Sequence, residues 1–479
     1  MKYLNDRCIV SDDNVFYYDS EQEITQADIM RFILENEQLA REYAKMRRYY
    51  KAEHDAIVKA KQKPNNKPDN RLVLNYPKKL VDTFTGFSVG KPVQITLPED
   101  LGNKSLSQFN VSRKMDSVIA RVWKESCIYG RAYFYVYSHD SEIYVTDALP
   151  LDTFVIYDNT VAHKPLYAVR YGHIGASANY KLTVFSEQYQ WESNTSQNTT
   201  SFGTRVANPF GMIPIIEAVE NDERLSVIKN VLPLVDEINK AMSEKANDVD
   251  YFADAYMKVL GAILSEDDLE NLRNYRIINL KSRESDDPNE TPESLDVDFL
   301  SKPNADTTQE NLINRVIDNL YQVSMITNLN DKDFGNSTGV ALEMKYKPML
   351  NLATLKSRGF TEALKDMYQV VFASDLIENI SREAWKDLDI NFQYDLPHDT
   401  LSEAQTAQIL ANLVSSETWL KTLSIVNDPR QELERMDKEQ REQIQANMQV
   451  LKQNNAVTDG ETNANSRTSQ EADRLSART

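Results

Sequence analysis

The sequence predicts an α+β protein that is mostly helical. Apolar residues recur at helical spacing through long stretches near 25–62, 227–262, 307–328, 340–373 and 400–451. Between the first two, β-branched and aromatic runs at 131–137, 153–157, 166–171 and 181–185 are separated by turn residues, the texture of an antiparallel sheet. The 479 residues allow roughly two to four structural units.

In order along the chain, 25–62 reads as a helix with Ile29, Ile33, Leu39, Tyr43 and Met46 near helical spacing and Thr25 as its cap. Pro64 and Pro68 break it into an exposed loop. The stretch 41–91 carries thirteen Lys and Arg against five acids, inside a chain of net charge −19. A solvated face is the plain reading of that excess, and contact with DNA or an acidic partner the sharper one. A helix follows at 115–130, ended by Gly130 in the left-handed position. Ten of the 24 tyrosines then fall between 129 and 189, marking an aromatic-rich β module that closes at 209–214.

Residues 227–262 place Val231, Val235, Ile238, Met242, Val249, Phe252, Tyr256 and Val259 on one stripe, which predicts a continuous helix of ~40 Å. The insert 263–305 is acidic, with a helical start at 265–268, a short strand at 275–280 and a polar loop. A second long helix at 307–328 carries Leu312, Val316, Leu320 and Val323. Seventeen acids against eight bases lie in 236–305, so two long helices bracket an acidic module, a pattern that suggests a stalk with a tip. The polar loop 329–339 joins the second helix to a third at 340–373. Lys332 is its one cation, Gly335 and Gly339 give it freedom, and Ser337 or Thr338 can cap the helix that follows. Pro348 inside that helix predicts a kink. A strand returns at 388–394, and a helical set at 400–451 opens on a capping-box pattern, Thr400 to Glu403. Beyond Lys452 the small polar composition predicts disorder.

Catalytic motifs are missing. Three residues separate Gly86 from Gly90 rather than the four of a phosphate loop, and Pro92 stands where magnesium-binding Ser or Thr belongs. A tight turn is the better reading. The five histidines show no metal-ligand spacing. Asp296 with Asp298, and Asp387 with Asp389, would each put two carboxylates on one strand face, which can bind a divalent cation, although solvated edge positions are the better reading. No Gly-x-Ser-x-Gly elbow occurs. Asn194 and Asn198 match glycosylation sequons but read as a polar hairpin loop. Two cysteines, Cys8 and Cys127, make no disulfide framework. No run of ~18 apolar residues is present, and the N-terminus lacks the apolar segment of a signal peptide, so a cytoplasmic, non-membrane protein is expected.

Five segments, in order, resemble the portal proteins of tailed bacteriophages, of the branch found in phages of Gram-positive bacteria. They are NYPKKLVDTFTGFSVGKPV at 75–93, LVDEIN at 234–239 with DAYMKVLG at 254–261, NSTGVALEM at 336–344, SETWLKTL at 416–423 and DPRQELE at 428–434. The resemblance implies a wing (1–226), stem helices (227–262 and 306–328), a clip (263–305), a tunnel loop (329–339), a kinked tunnel helix with return strand (340–395), a helical crown (396–451) and a tail (452–479). It further implies a head-to-tail ring of about twelve subunits at one capsid vertex of the virion, assembled in the host cytoplasm, conducting double-stranded DNA without sequence specificity. Implied partners are the terminase large subunit, a head-completion or adaptor protein, and the major capsid and scaffolding proteins; no cofactor, metal or catalytic residue is implied. On this reading Lys332, Asn336, Ser337, Lys345, Lys347, Lys356 and Arg358 line the DNA channel. Val249, Phe252, Leu312 and Val316 form the stem interface, and Glu284, Asp286, Asp287 and Glu290 meet partners at the clip. An acidic wall would repel a duplex weakly and let it slide. A packaging ATPase or nuclease is disfavoured by the broken phosphate-loop motif, and a helical scaffold or adaptor leaves the aromatic β module unexplained.

Overall fold

The computed structural model describes residues 1–19, 21–64, 68–173, 180–195, 203–253, 257–260, 266, 296–299, 306–330, 339–396, 400–423, 425–426 and 429–448. Three short strands open the chain: β1 (Lys2–Tyr3), β2 (Cys8–Val10) and β3 (Phe16–Tyr18). Helix α1 (Gln26–Tyr50) starts on a capping box in which the Thr25 hydroxyl accepts from the Asp28 amide at 3.2 Å and the Asp28 carboxylate accepts from the Thr25 amide at 3.3 Å. The helix predicted to reach residue 62 stops at Tyr50, because Ala52 turns to φ +67° and a separate turn, α2 (Asp55–Val58), follows. Helices α3 (Tyr76–Val89), α4 (Asp100–Ser112) and α5 (Met115–Tyr129) come next, with strand β4 (Gln94–Thr96) between α3 and α4. Gly86 falls in the last turns of α3 rather than in a tight turn, so nothing there is built to cradle a phosphate.

Helix α5 ends as expected on Gly130, at φ +91°, where an added Cβ would stand 2.0 Å from the Arg224 carbonyl oxygen. The β module follows: β5 (Arg131–His139), β6 (Glu142–Ala148), β7 (Thr153–Asp158), β8 (Pro165–His173), β9 (Tyr180–Ser186), β10 (Tyr189–Thr195), β11 (Arg205–Ala207) and β12 (Ile215–Val219). The expected antiparallel runs are all strands, yet they divide between two sheets. Eight strands order as β1-β2-β3-β7-β8-β9-β10-β11, with β3 and β7 parallel, while β12-β5-β6 form a separate sheet. Phe16, Tyr18, Phe32, Ile33, Phe154 and Val184 fill the space between α1 and the larger sheet. Tyr133, Val155, Ala168, Phe185 and Ile215 fill the space between the sheets. A buried carboxylate also joins them: Glu217 of β12 binds Arg131 of β5 and Arg224 at 3.1 Å and accepts from the Tyr157 hydroxyl of β7 at 2.9 Å. Burial alone would push the Glu217 carboxyl up, and the two guanidiniums hold it below the usual range.

Helix α6 (Leu232–Ala253) spans about 33 Å, shorter than expected, because Met257–Leu260 is a strand, β13, paired antiparallel with β14 (Asp296–Phe299). Two-residue periodicity in a four-residue run and helical periodicity overlap, and the partner strand decides. Helix α7 (Asp306–Ser324) packs against α6, and α8 (Gly339–Ala373) contains Pro348. Thr327 donates to the Lys345 carbonyl at 3.1 Å, within the turn before Pro348. Strand β15 (Asp389–Asn391) returns to pair with β4. Asp387 lies in a 3-10 turn outside that strand, so the paired-carboxylate reading with Asp389 fails, and no group of three metal-ligating side chains occurs among the described residues.

The chain divides into two compact units, 1–335 with 344–395, and 336–343 with 396–479. In the second, α9 (Thr400–Leu410), α10 (Ser416–Leu420) and a helix over 429–448 are described. No described helix is long and apolar enough to cross a membrane. The expected strand at 275–280 and the tail from 452 lie outside the described residues.

Candidate functional site

Three long helices of the first unit carry the residues that the sequence singles out. On α7, Ile313, Leu320, Tyr321 and Ser324 are buried. Leu312 is 50% and Val323 54% exposed, with Val316 half-buried between them. At 100° per residue, 312, 316 and 323 fall within about 40° of one another and 320 lies about 80° from 312. The predicted single stripe is therefore two, with Leu320 on the inner one. On α6 the stripe also changes character along its length. Val235 and Ile238 are buried at the base, whereas Val249 is 64% exposed. Lys245 pairs with Glu310, and Gln309 donates to Asp248 at 3.3 Å, fixing the two helices against each other.

The inner face of α6 is polar, and it holds a strap. Asn239, Ser243 and Asn247 recur every four residues and are buried. Their side-chain oxygens accept the backbone N–H groups of Leu74, Leu72 and Asn70 at 2.7, 3.0 and 2.6 Å. The match is geometric: four residues of helix rise about 6.0 Å, and two residues of extended chain advance about 6.6 Å. Lys63 pairs with Glu244 at 2.7 Å, and Asn70 donates to Asp250 at the other end. This strap went unread in the sequence, although small polar residues at a four-residue repeat along the helix were its signal.

Seven of the thirteen Lys and Arg of 41–91 form ion pairs among the described residues, three of them with acids from outside the segment. Arg47 pairs with Glu125, Arg48 and Lys59 with Asp55, Arg71 with Asp69, Lys78 with Asp82, and Lys91 with Asp395, beside the Lys63 pair already described. The arrangement fits the plain reading, a solvated and internally paired surface.

On α8 the candidate channel cations part company. Lys347 and Arg358 are exposed, eleven residues and therefore about 20° apart on the helix, and Lys345 is half-buried. Lys356 is a correction: its side chain is 0% exposed and cannot meet a phosphate. Its Nζ donates to Glu220 at 2.5 Å, to the Trp123 carbonyl at 3.0 Å and toward the Cys127 sulfur at 3.0 Å, and sits 4.2 Å from the Trp123 ring centroid. Burial pushes Glu220 up while Lys356 pulls it down, and burial with the nearby Glu220 pushes the Cys127 thiol up to about 12. The cluster pins α8 to α5 and to the end of β12. Lys332, Asn336, Ser337, Glu284, Asp286, Asp287 and Glu290 lie outside the described residues, as does the side chain of Phe252.

Comparison with known proteins places this architecture. The family model described as "Phage portal protein, SPP1 Gp6-like" matches residues 31–446. The portal protein of Bacillus phage SPP1 is 22% identical over 430 residues, covering 82% of this chain and 80% of that one. Solved structures of a gene transfer agent overlap more loosely. A chain from the virion of the native particle has TM-score 0.42 and 11% identity, covering 80% of this chain and 93% of that chain. One from the neck of the native particle, computed with C12 symmetry, has TM-score 0.40 and 12% identity over the same shares. With the family model matched over most of its length, the chain belongs to the SPP1 Gp6-like family of phage portal proteins, which are structural channel proteins rather than enzymes.

Proposed function

We propose that copies of this chain join head to tail into a closed ring of about twelve, set at one vertex of a capsid, whose channel passes double-stranded DNA during packaging and ejection. The outward apolar residues of the two packed helices carry the reading. Val249, Leu312 and Val323 stay exposed after the protomer's own core is complete. Burying each against a neighbour contributes about 1–2 kcal/mol, and a heterologous contact that closes on itself leaves no patch over. Phe252 and Val316 belong to the same interface.

Lys347 and Arg358, on one face of α8, are the cations placed to meet phosphates transiently, with Lys345 beside them. Lys332, Asn336 and Ser337 belong to a loop that narrows the channel. The acids surplus in 236–305 keep the rest of the wall weakly repellent to a duplex, so that it slides. The segment 263–305, with Glu284, Asp286, Asp287 and Glu290, is the docking surface for the terminase large subunit and later for a head-completion protein. The major capsid and scaffolding proteins meet the outer body during assembly in the host cytoplasm.

Negative-stain microscopy and native mass spectrometry test the assembly. The wild-type protein should give rings with a central hole, and the double variant Val249→Asp with Leu312→Asp should give folded, non-circular species. Intact rings in the double variant refute the interface. Elongated rods from the wild type favour a helical scaffold instead.

A further inference from the structure

The side-chain ladder on α6 that holds the strap meets, at Asn239, one histidine whose bonds admit one protonation state. His54 is fully buried and stacks on the Tyr49 ring at 4.8 Å with 12° between planes. Its Nε2 donates to the Tyr49 carbonyl at 3.0 Å; a carbonyl only accepts, so Nε2 carries the hydrogen. Its Nδ1 accepts from the Asn239 amide nitrogen at 2.6 Å. That amide cannot turn over, because the Asn239 oxygen already accepts the Leu74 N–H at 2.7 Å. A proton on Nδ1 would set two donors face to face in a buried site.

We propose that His54 is an acid-sensitive latch: a proton on its Nδ1 drives Asn239 out of its bonds, and the strap 70–74 leaves helix α6. Asn239 is the shared member, since one end of its amide holds His54 and the other holds Leu74. Ser243 and Asn247 continue the same ladder, so losing its first rung frees the strap end nearest the histidine. The latch rests on contacts inside one protomer and is independent of ring assembly.

The groups around the ring set the sign. From α6, the Asp236 carboxylate accepts from the Tyr49 hydroxyl at 3.0 and 3.1 Å. From α1, Lys45 lies near Asp236, and Arg48 holds Asp55, the residue after His54, together with Lys59. Asn75 approaches from the N-cap of α3. Burial lowers the imidazole's proton affinity below its ordinary 6.5, and the opposing pull of Asp236 does not reverse this. A released His54 binds its proton at the ordinary value and a latched one more weakly, so the released form gains as pH falls below about 6.5. Asp236 works the other way. Burial raises its carboxyl, so on acidification it takes up a proton in the closed state and steadies it.

Hydrogen exchange of the full chain between pH 7.5 and 5.0, corrected for the intrinsic pH dependence of amide exchange, tests the latch. Peptides covering 68–75 should lose protection by about tenfold or more with a midpoint below about 6.5, while those of α5 keep theirs. In Asn239→Asp one carboxylate oxygen still accepts the Leu74 N–H and the other meets a protonated Nδ1, so the strap should hold or tighten on acidification. A flat wild-type profile, a loss shared by α5, or an equal loss in Asn239→Asp overturns the proposal. Should Asn239→Asp not fold, His54→Asn, which has nothing to titrate there, takes its place with a flat profile expected. The wild-type profile decides on its own if neither variant folds.

Discussion

Replacing Lys356 by Met separates two roles that its sequence position leaves open. The lysine is wholly buried, its ammonium shared among Glu220, the Trp123 carbonyl and the Trp123 ring, and Glu220 already has one oxygen, Oε1, without a hydrogen-bond partner. Removing the cation leaves a carboxylate uncompensated in the core, a change that costs about 3–5 kcal/mol. For a unit of this size, at about 2.1 cal/mol/K of unfolding entropy per residue, that corresponds to a fall in melting temperature of roughly 4–6 °C. The deficit should be largest at neutral pH and above. Burial already raises the Glu220 carboxyl, and it rises further without Lys356, so as the pH falls through that raised value a proton neutralises the group and part of the stability returns. Replacing both partners, Lys356→Met with Glu220→Leu, should recover most of the loss, because two apolar side chains fill the space without a stranded charge. Thermal and urea unfolding of the three proteins at pH 5.5 and 7.5 provide the measurement. A single variant that unfolds within about 1 kcal/mol of wild type, yet binds DNA with a reduced salt dependence, would refute the buried-pin argument and return Lys356 to the channel.

Gly130→Ala should cost well over about 1 kcal/mol in urea unfolding, since its positive φ and the Arg224 carbonyl 2.0 Å from the added Cβ leave no room to relax. Thr25→Ala should cost about 1 kcal/mol by removing one half of the α1 capping box. Although burial raises the Asp28 carboxyl, hydrogen bonds from Thr25 and Asn5 hold it below the usual range; that stability is present above about pH 3.8 and lost as the pH falls through the lowered value, and weakening these bonds in Thr25→Ala should flatten the acid limb. Lys347→Gln with Arg358→Gln should leave assembly intact while lowering the slope of log affinity for duplex against log salt by about 1.8, read by fluorescence titration; an unchanged slope removes both from the channel wall.

Local pattern was enough for the helix at 115–129 and its Gly130 end, for the Thr25 start of α1, and for the aromatic strands. Each depends on residues within a turn or two, where periodicity and backbone stereochemistry act directly. The family was legible for a related reason: its segments are contiguous and keep their order. What the sequence could not fix was which surfaces meet. The aromatic strands look alike, but parallel pairing of β3 with β7 draws some into the eight-stranded sheet while β5 joins β12. Helical spacing put Leu320 with Leu312, and the packing of α6 against α7 buried one and exposed the other. Lys356 reads as a free cation on an amphipathic helix until a chain 136 residues distant brings Glu220 to its ammonium. Asn239 and His54, 185 residues apart, acquire their shared bond only when the turn at α2 packs against α6. A side chain's charge is written in its residue type, but its dielectric surroundings and its partners belong to contacts across the chain, and those contacts decide whether a lysine touches solvent or stays buried in the core.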